Sequence, residues 1–488
     1  MNGDDPVETM PVDMTVPGPA LAKPASRLAR LSGMRIGLAR SQQPPVVAGA
    51  LAVTTNVFQV FGVIAVSALV ARALGPSGKG QYDLLINSAL LLQTALSFSI
   101  PSGVTYVTAV GDANVRRLVL YGGGFAVAQG LVAGAVLWAL AGTRLYSAIV
   151  PASLPHAQLY VAIAVCGYAL YAVYRAVLIG GRRFAAANTG DVLRQVLAVS
   201  FAVLVFFLAG RAGFDLLHAL IVAALASVFC TALANYHFIS IAGFPRQSGS
   251  AEISSVLLYA LPAYGSNAVQ FLNYRLDVFV VNGYHGAREV GIYLAAVTLA
   301  LGINMIPKAA QGVIIPTIAA RGESEGAALS VAQASRILMT LGLLGGLVFA
   351  VAAPFALPLL FGPEFRESVA PLLLLLPGCV VFVITNVLAG YLAGLGRPNL
   401  NLLSSVCGLA VTLVLDFSLI PAFGARGAAF ASTCSYATST VVTIILFRRL
   451  SGIPLSKLFR VTGADVRHIL AQGRRLLRRT TSWQAHNA

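Results

Sequence analysis

The side chains in this sequence that could do chemistry are charged groups inside long apolar stretches. Arg275 and Asp277 lie within the apolar run 256–282, and Lys308 lies within the run 290–318. A charge at the centre of a bilayer costs at least about 2.5–3.5 kcal/mol, so such side chains usually face a bundle interior or a water-filled cavity. A guanidinium offers a bidentate contact to anionic oxygens, and an ammonium acts as a point charge. We therefore predict that Arg275 and Lys308 supply positive charge to a central cavity.

Asp277 is predicted to act on its charged neighbour or on another helix. Two residues apart on a helix, Arg275 and Asp277 point about 200° from each other, so they cannot form a simple intrahelical pair. At least one of them needs a partner on another helix or in a wet cavity. Asp277 would orient Arg275 or join a gating salt bridge. The alternative is a satisfied ion pair between helices, with no contact to a substrate.

Four further charges lie nearer the ends of apolar runs. Arg175 and Arg336 are candidate substrate-binding residues, but they lie where a long side chain can also reach the membrane surface. The same holds for Arg194. Asp416 lies near the end of the run 399–421, so it is predicted to be either a gating residue or a helix-end carboxylate that reaches water.

Covalent chemistry and nucleotide hydrolysis have no support in the sequence. The stretch ALGPSGKGQY, residues 73–82, has neither the spacing of a phosphate-binding loop nor a Ser or Thr after its lysine. It is predicted to be a turn between two helices, with a helix ending at Gly75 and a solvated Lys79. The five cysteines are scattered within apolar runs and predicted to pack as small apolar residues. We expect no catalytic residues, no metal, no cofactor and no enzyme activity.

Composition restricts the chain to the membrane proteins. It is 57% hydrophobic and 10% charged, against about 25% charged residues in a soluble domain. We predict an all-α polytopic protein of about twelve transmembrane helices, since a span needs about 17–25 apolar residues. The apolar runs lie at 48–71, 83–110, 118–141, 157–179, 189–209, 216–239, 256–282, 290–318, 331–352, 368–394, 399–421 and 427–447.

Most lysines and arginines outside the runs fall on one side of the membrane if both tails are cytoplasmic, which predicts that orientation. The net charge of +16 therefore mainly reflects the orientation of the chain in the membrane, and no nucleic-acid partner is expected. The tails, 1–47 and 448–488, are basic. The segment DVRHILAQGRRLLRRT in the second is predicted to lie on anionic lipid as an amphipathic helix, or else to be a solvated tail.

An internal repeat predicts two halves. A shift of 211 residues sets Gly75, Gly80 and Tyr82 on Gly286, Gly291 and Tyr293. Gly181-Arg182 and Gly396-Arg397 match at a similar shift. We predict two pseudo-symmetric six-helix bundles, 48–241 and 253–447, around a central cavity, with a cytoplasmic linker at 242–252. Prolines 101, 262, 307 and 316 interrupt the runs beside the cavity, and Pro262 and Pro307 are the predicted hinges.

Several segments of the sequence resemble one transporter family. The stretches ALVARALGPSGKGQYDLLINSALLL, RLDVFVVNGYHGAREVGIYLAA and LFGPEFRESVAPLLLLLPGCVVFVITNVLAGYLAGLGRPN, with LIPAFGARGAAFAS, are similar to segments of the Wzx-type polysaccharide-exporter flippases. These belong to the multidrug/oligosaccharidyl-lipid/polysaccharide exporter superfamily. The resemblance covers about residues 48–447.

The resemblance implies a function. An undecaprenyl-pyrophosphate-linked oligosaccharide would move from the cytoplasmic to the periplasmic leaflet of a bacterial inner membrane, for exopolysaccharide, capsule or O-antigen synthesis. The cationic cavity would then accept pyrophosphate or acidic sugars, and a basic residue that lines the lumen in the relatives corresponds to Arg275. Membrane lipids, a polysaccharide polymerase and export machinery are candidate partners, and the chain is expected to be a monomer.

Three alternatives remain at this point. A cation-coupled drug antiporter of the same superfamily would use buried acids, whereas the deep charges here are mainly cationic. A sugar polymerase or ligase would need a large outer loop, and the longest outer loop, near 142–156, is short. A passive scaffold would leave the intramembrane charges unexplained.

Overall fold

The fold was determined from a computed structural model, which describes residues 45–111, 114–151, 153–212, 215–242, 244 and 253–459. The chain divides into two units, Met1–Pro44 and Pro45–Ala488, and all the helices described below belong to the second. The predicted tails and the linker at 242–252 lie mostly outside the described residues, as does the predicted amphipathic helix of the C-terminal tail.

The described residues form helices and no strand, as the composition predicts. In the first half the helices are α1 (Pro45–Leu96), α2 (Ile100–Val110), α3 (Val115–Ala139), α4 (Arg144–Ile149), α5 (Ala157–Gly180), α6 (Phe184–Ala212) and α7 (Leu216–Ile241). In the second half they are α8 (Ile253–His285), α9 (Ala287–Ala300), α10 (Met305–Arg321), α11 (Glu325–Phe361), α12 (Val369–Gly394), α13 (Pro398–Ser451) and α14 (Ser456–Phe459). Short 3₁₀ segments, Leu301–Asn304 and Pro363–Ser368, precede α10 and α12.

Nine of the described helical segments are long and apolar enough to cross a membrane, so this is a multi-pass membrane protein. The 33-residue helix α8, which carries Arg275 and Asp277, is not one of the nine. The number twelve stays a prediction.

The longest helices, α1 and α13, each change direction at a glycine. Gly75 has φ 66° and ψ −175°, and Gly424 has φ 52° and ψ −130°. Positive φ is accessible to glycine at little cost because it has no Cβ. Gly286, the predicted counterpart of Gly75, adopts nearly the same conformation, with φ 79° and ψ −179°. The repeated sequence therefore forms a repeated local turn.

Two of the predicted apolar runs, 83–110 and 290–318, contain a helix break, and a proline follows each break. Between α1 and α2 the backbone of Phe98 and Ser99 has positive φ, and Pro101 lies in the first turn of α2. The 3₁₀ segment Leu301–Asn304 separates α9 from α10 and precedes Pro307. A helix broken within a membrane leaves backbone groups that must find other partners, so such breaks usually lie beside protein or a wet cavity. Helix α8, by contrast, continues through Pro262.

Buried apolar contacts join the two halves. The largest cluster combines residues of α8, α9, α11, α12 and α13, such as Val278, Tyr293 and Leu375, with Ala71 and Leu84 of α1. A second cluster lies within the first half and includes Leu85, Val161 and other side chains. The predicted division into bundles at 48–241 and 253–447 stays a prediction, because the helices on both sides belong to one compact unit.

Candidate functional site

The two deep cations lie close to each other. Arg275 on α8 and Lys308 on α10 are near enough for their positive charges to repel. The ammonium of Lys308 lies 5.8 Å from the ring centroid of Tyr274, within cation–π range. The side chain of Lys308 is exposed. Among the described residues, no carboxylate forms a salt bridge with either cation.

A cavity of about 330 Å³ lies next to this cationic pair. One wall is the break between α1 and α2, and the opposite wall is the middle of α8. Its lining carries no charged side chain and combines apolar surface, such as that of Phe271, with polar side chains, which include Gln93, Thr94, Ser97, Asn267, Gln270 and Tyr274. Because the ring of Tyr274 lines this cavity and also lies beside Lys308, the cavity and the cations are neighbours, and we treat them together as the candidate site.

Asp277 is bonded to hydroxyl groups rather than to Arg275. The buried carboxylate accepts hydrogen bonds from the hydroxyl of Tyr293 and, over 3.2 Å, from that of Ser432. The backbone N–H of Val278 donates a third, of 2.8 Å. No hydrogen bond or ion pair joins it to Arg275 among the described residues. The predicted orienting contact is therefore absent, because side chains two positions apart point in different directions.

Asp416 is fully buried, so the expectation that its carboxylate reaches water is wrong. The helix does not end there: α13 continues regularly to Gly424, two turns further on. Neither carboxylate oxygen has a hydrogen-bond partner among the described residues. Asp416 lies near Asp277, so the second half buries two carboxylates close together. Its predicted role as a gating residue stays a prediction.

Neutral polar side chains extend this buried polar region. One turn from Asp277, the side-chain oxygen of Asn273 accepts hydrogen bonds from Thr412, over 3.0 Å, and from Ser435, over 2.9 Å. The spacing of polar residues in the sequence carries a signal for this region that the charged residues alone do not give. Asn273 and Asp277 are four residues apart, as are Thr412 and Asp416, so each pair lies on one helical face.

Arg175 has a partner within the first half. Its guanidinium makes two hydrogen bonds of 2.8 Å to the two carboxylate oxygens of Asp191, which also accepts one from Tyr171. Arg194 lies 5.5 Å from the ring centroid of Tyr171. The positive charge of Arg175 is thus neutralised, unlike that of Arg275.

The remaining predicted residues lie apart from the cavity lining. Arg336 donates a hydrogen bond to the backbone carbonyl of Lys457 at α14. It is not among the residues that line the cavity beside Tyr274. Pro307 is buried directly after a 3₁₀ break, a position suited to a hinge, while the helix at Pro262 is uninterrupted. Both hinge roles stay predictions.

The repeated glycines meet each other across the two halves. A Cβ added at Gly80 would lie 2.6 Å from the carbonyl carbon of Ala287, and one at Gly291 would lie 3.0 Å from that of Pro76. Glycines let helix backbones approach this closely. Near the same kink in α1, Arg72 donates hydrogen bonds to the carbonyl oxygens of Leu359 and, over 2.9 Å, of Leu360. These carbonyls end α11, where a cation is favoured.

The expectation that Lys79 is solvated is wrong. Lys79 is fully buried and forms a salt bridge with Asp83 four residues on, because the chain resumes a helix directly after Gly75. Close packing of this helix against α9 excludes water from the lysine.

Residues 123–370, just over half of the chain, match the family described as "Polysaccharide biosynthesis protein". The chain belongs to this family. It is 23% identical over 206 residues to the capsular polysaccharide biosynthesis protein CapF of Staphylococcus aureus, a match that covers 41% of this chain and 51% of that protein. The chain thus matches about half the length of this curated relative.

Solved transporters share the fold. The lipid II flippase MurJ in an inward closed conformation superposes with a TM-score of 0.63, covering 85% of this chain and 91% of MurJ, at 13% identity. An inward-facing multidrug resistance transporter of the MATE family, in the MOP superfamily, gives a TM-score of 0.59, covering 83% and 98%, at 15% identity. The family match thus confirms the resemblance to a polysaccharide biosynthesis family, and the superpositions show that the chain shares its fold with these transporters.

Proposed function

We propose that this protein moves an undecaprenyl-pyrophosphate-linked oligosaccharide from the cytoplasmic to the periplasmic leaflet of the bacterial inner membrane. The sugar headgroup crosses through the cavity between the two halves, and the prenyl tail stays in lipid. The two halves alternate in opening the cavity to either side. Membership of a polysaccharide biosynthesis family and the flippase-like fold support this proposal.

The observation that carries the proposal is the cationic pair beside the polar cavity. Arg275 and Lys308 have no contacting carboxylate among the described residues, and two neighbouring positive charges are unfavourable inside a membrane without an anion. A pyrophosphate supplies that anion. Arg275 suits a bidentate contact with its oxygens, and Lys308 adds a point charge.

The test is transport in proteoliposomes. Purified protein is reconstituted with an undecaprenyl-pyrophosphate oligosaccharide, and a membrane-impermeant glycosidase reports the headgroup in the outer leaflet. Charged hydrogen bonds are worth about 1.5–3 kcal/mol, so Arg275→Gln is expected to slow movement about 10- to 100-fold. Lys308→Gln should slow it less, because the ammonium lacks bidentate geometry.

The matched control is Arg366→Gln, since Arg366 is an exposed arginine of the same half that does not line the cavity. It should leave the rate unchanged. Arg275→Lys, which retains the charge, should fall between the wild type and Arg275→Gln. Equal rates for all variants would remove the cationic pair from the mechanism, and no movement by the wild type would reject the flippase.

A second candidate function, cation-coupled antiport, is favoured by the buried carboxylates Asp277 and Asp416. An ionised carboxylate with no hydrogen-bond donor is costly in a buried site, so Asp416 suits binding of a proton or an alkali cation. Binding of a proton or an alkali cation at Asp416 can also drive a flippase. A membrane potential that is negative inside also favours outward movement of an anion, by about 2.3 kcal/mol per charge per 100 mV. Drug flux in the absence of headgroup movement would favour the antiporter.

A further inference from the structure

The cavity beside Tyr274 has a lining that the cationic pair does not explain. It presents side-chain amides from both halves: Gln93 on α1, and Asn267 and Gln270 on α8. Asn267 and Gln270 are exposed although they lie in the middle of a long helix of a membrane protein. The residues that line this cavity include no charge. Exposed amides at this depth indicate a wet surface built to bind neutral polar groups.

The α8 side of the cavity is one helical face. Asn267, Gln270 and Tyr274 follow each other at spacings of three and four residues, which places them in one row along the helix. Phe271 also lines the cavity. Amides donate and accept hydrogen bonds together, and an aromatic side chain adds apolar surface. This combination fits a sugar ring, which has hydroxyl groups at its edge and C–H groups on its faces.

The α1 side of the cavity is the backbone break at Ser97 to Ser99. Asn267 donates a hydrogen bond of 2.8 Å to the hydroxyl of Ser99, and Tyr264 donates one of 2.8 Å to the carbonyl of Ala95. The side chain of Gln93 makes no hydrogen bond with a described residue. A sugar hydroxyl could therefore bind Gln93 directly and replace Ser99 as the acceptor for Asn267.

We propose that this cavity is a subsite for an uncharged sugar of the headgroup, with Gln93, Asn267 and Gln270 as the residues that select it. The inference rests on the proposed flippase function and specifies its substrate. A volume of about 330 Å³ lies at the lower end of the range for small-molecule pockets, about 300–1,000 Å³, so it holds one sugar unit rather than a whole repeat. Because the amides come from both halves of the chain, a bound sugar would contact both halves at once.

The test compares three probes in proteoliposomes. These are undecaprenyl pyrophosphate carrying a neutral hexose disaccharide, the same lipid carrying a hexuronic acid disaccharide, and the lipid without sugar. The leaflet of the first two is read by impermeant glycosidases, and that of the bare lipid by an impermeant phosphatase. The wild type is expected to move the neutral glycolipid about tenfold faster than the other two.

Asn267→Leu and Gln270→Leu should each slow the neutral glycolipid about tenfold and leave the bare lipid unchanged. One lost hydrogen bond between uncharged groups is worth up to about this factor. Both side chains are exposed, so folding should be retained, and thermal unfolding checks this. Gln333→Leu on α11, which does not line the cavity, is the matched control and should match the wild type.

The outcomes separate the two proposals. If the wild type moves all three lipids at equal rates and the leucine variants match it, the sugar subsite is refuted and the flippase stands. A faster rate for the uronic acid probe refutes selection of an uncharged sugar. If the wild type moves none of the lipids, the flippase proposal fails, and the subsite fails with it.

Discussion

A methyl group at Gly80 should open the contact between the two halves of the chain. In the structure, a Cβ at this position would overlap the carbonyl oxygen of Ala287 and lie 2.6 Å from its carbonyl carbon, whereas ordinary contacts begin at 3.4 Å, so α1 and α9 must separate by considerably more than about 0.8 Å. The neighbouring atoms are backbone and cannot rotate away. Overpacking of this kind costs about 1–3 kcal/mol, which changes the ratio of two conformations by about 5- to 150-fold.

The population change can be measured as a distance between the halves. Spin labels at Arg144→Cys and Arg366→Cys, both exposed, would be introduced after replacement of the native cysteines. Pulsed electron resonance then reports the distance distribution in proteoliposomes. Gly80→Ala should shift the distribution to longer distances and slow headgroup movement, since the conformation closed at this contact becomes rare. Gly291→Ala should do the same, because it faces the contact from the other half.

Gly345→Ala is the matched control, since a Cβ at Gly345 on α11 meets nothing within 4 Å. It should change neither the distances nor the rate. The reasoning is refuted if Gly80→Ala and Gly291→Ala both fold, keep the wild-type distance distribution and transport at the wild-type rate. In that case the contact between α1 and α9 either persists throughout the transport cycle or accommodates the methyl group without a cost in free energy.

Three further substitutions test the charged and polar interior. Asp416→Asn removes a buried charge that has no described partner, so the midpoint of thermal unfolding should not fall. Transport by this variant should stop responding to imposed proton or sodium gradients. A retained response would show that coupling to the gradient lies at another residue. Arg175→Gln leaves Asp191 without its bidentate partner and should lower the free energy of unfolding by about 1–3 kcal/mol, less than for a fully buried pair because the arginine side chain is 35% exposed. Adding Asp191→Asn should restore stability, and slower transport at unchanged stability would instead place Arg175 in the substrate path. Tyr293→Phe removes a donor to Asp277 and should cost about 1–3 kcal/mol in thermal unfolding, while an unchanged midpoint would show that the bond contributes nothing.

Some of the fold follows from local sequence. The apolar runs predict helices of spanning length, because a bilayer leaves backbone groups no partner outside a helix or a closed barrel. The equivalence of Gly75 and Gly286 was readable from the repeat, and both adopt the same backbone conformation. Pro101 and Pro307 marked two helix breaks correctly, because proline cannot donate a backbone hydrogen bond. Pro262 and Pro316 mark no break, since α8 and α10 continue through them.

The sequence by itself determined that this chain crosses a membrane many times and carries unusual charges within its spans. Only the tertiary structure decided the partner of each charge. Asp277 bonds to Tyr293 rather than to Arg275, Lys79 is buried, and Asp416 does not reach water. The physical reason is that helical periodicity determines the direction in which a side chain points along its own helix. Which other helix lies in that direction depends on packing between segments distant in the chain.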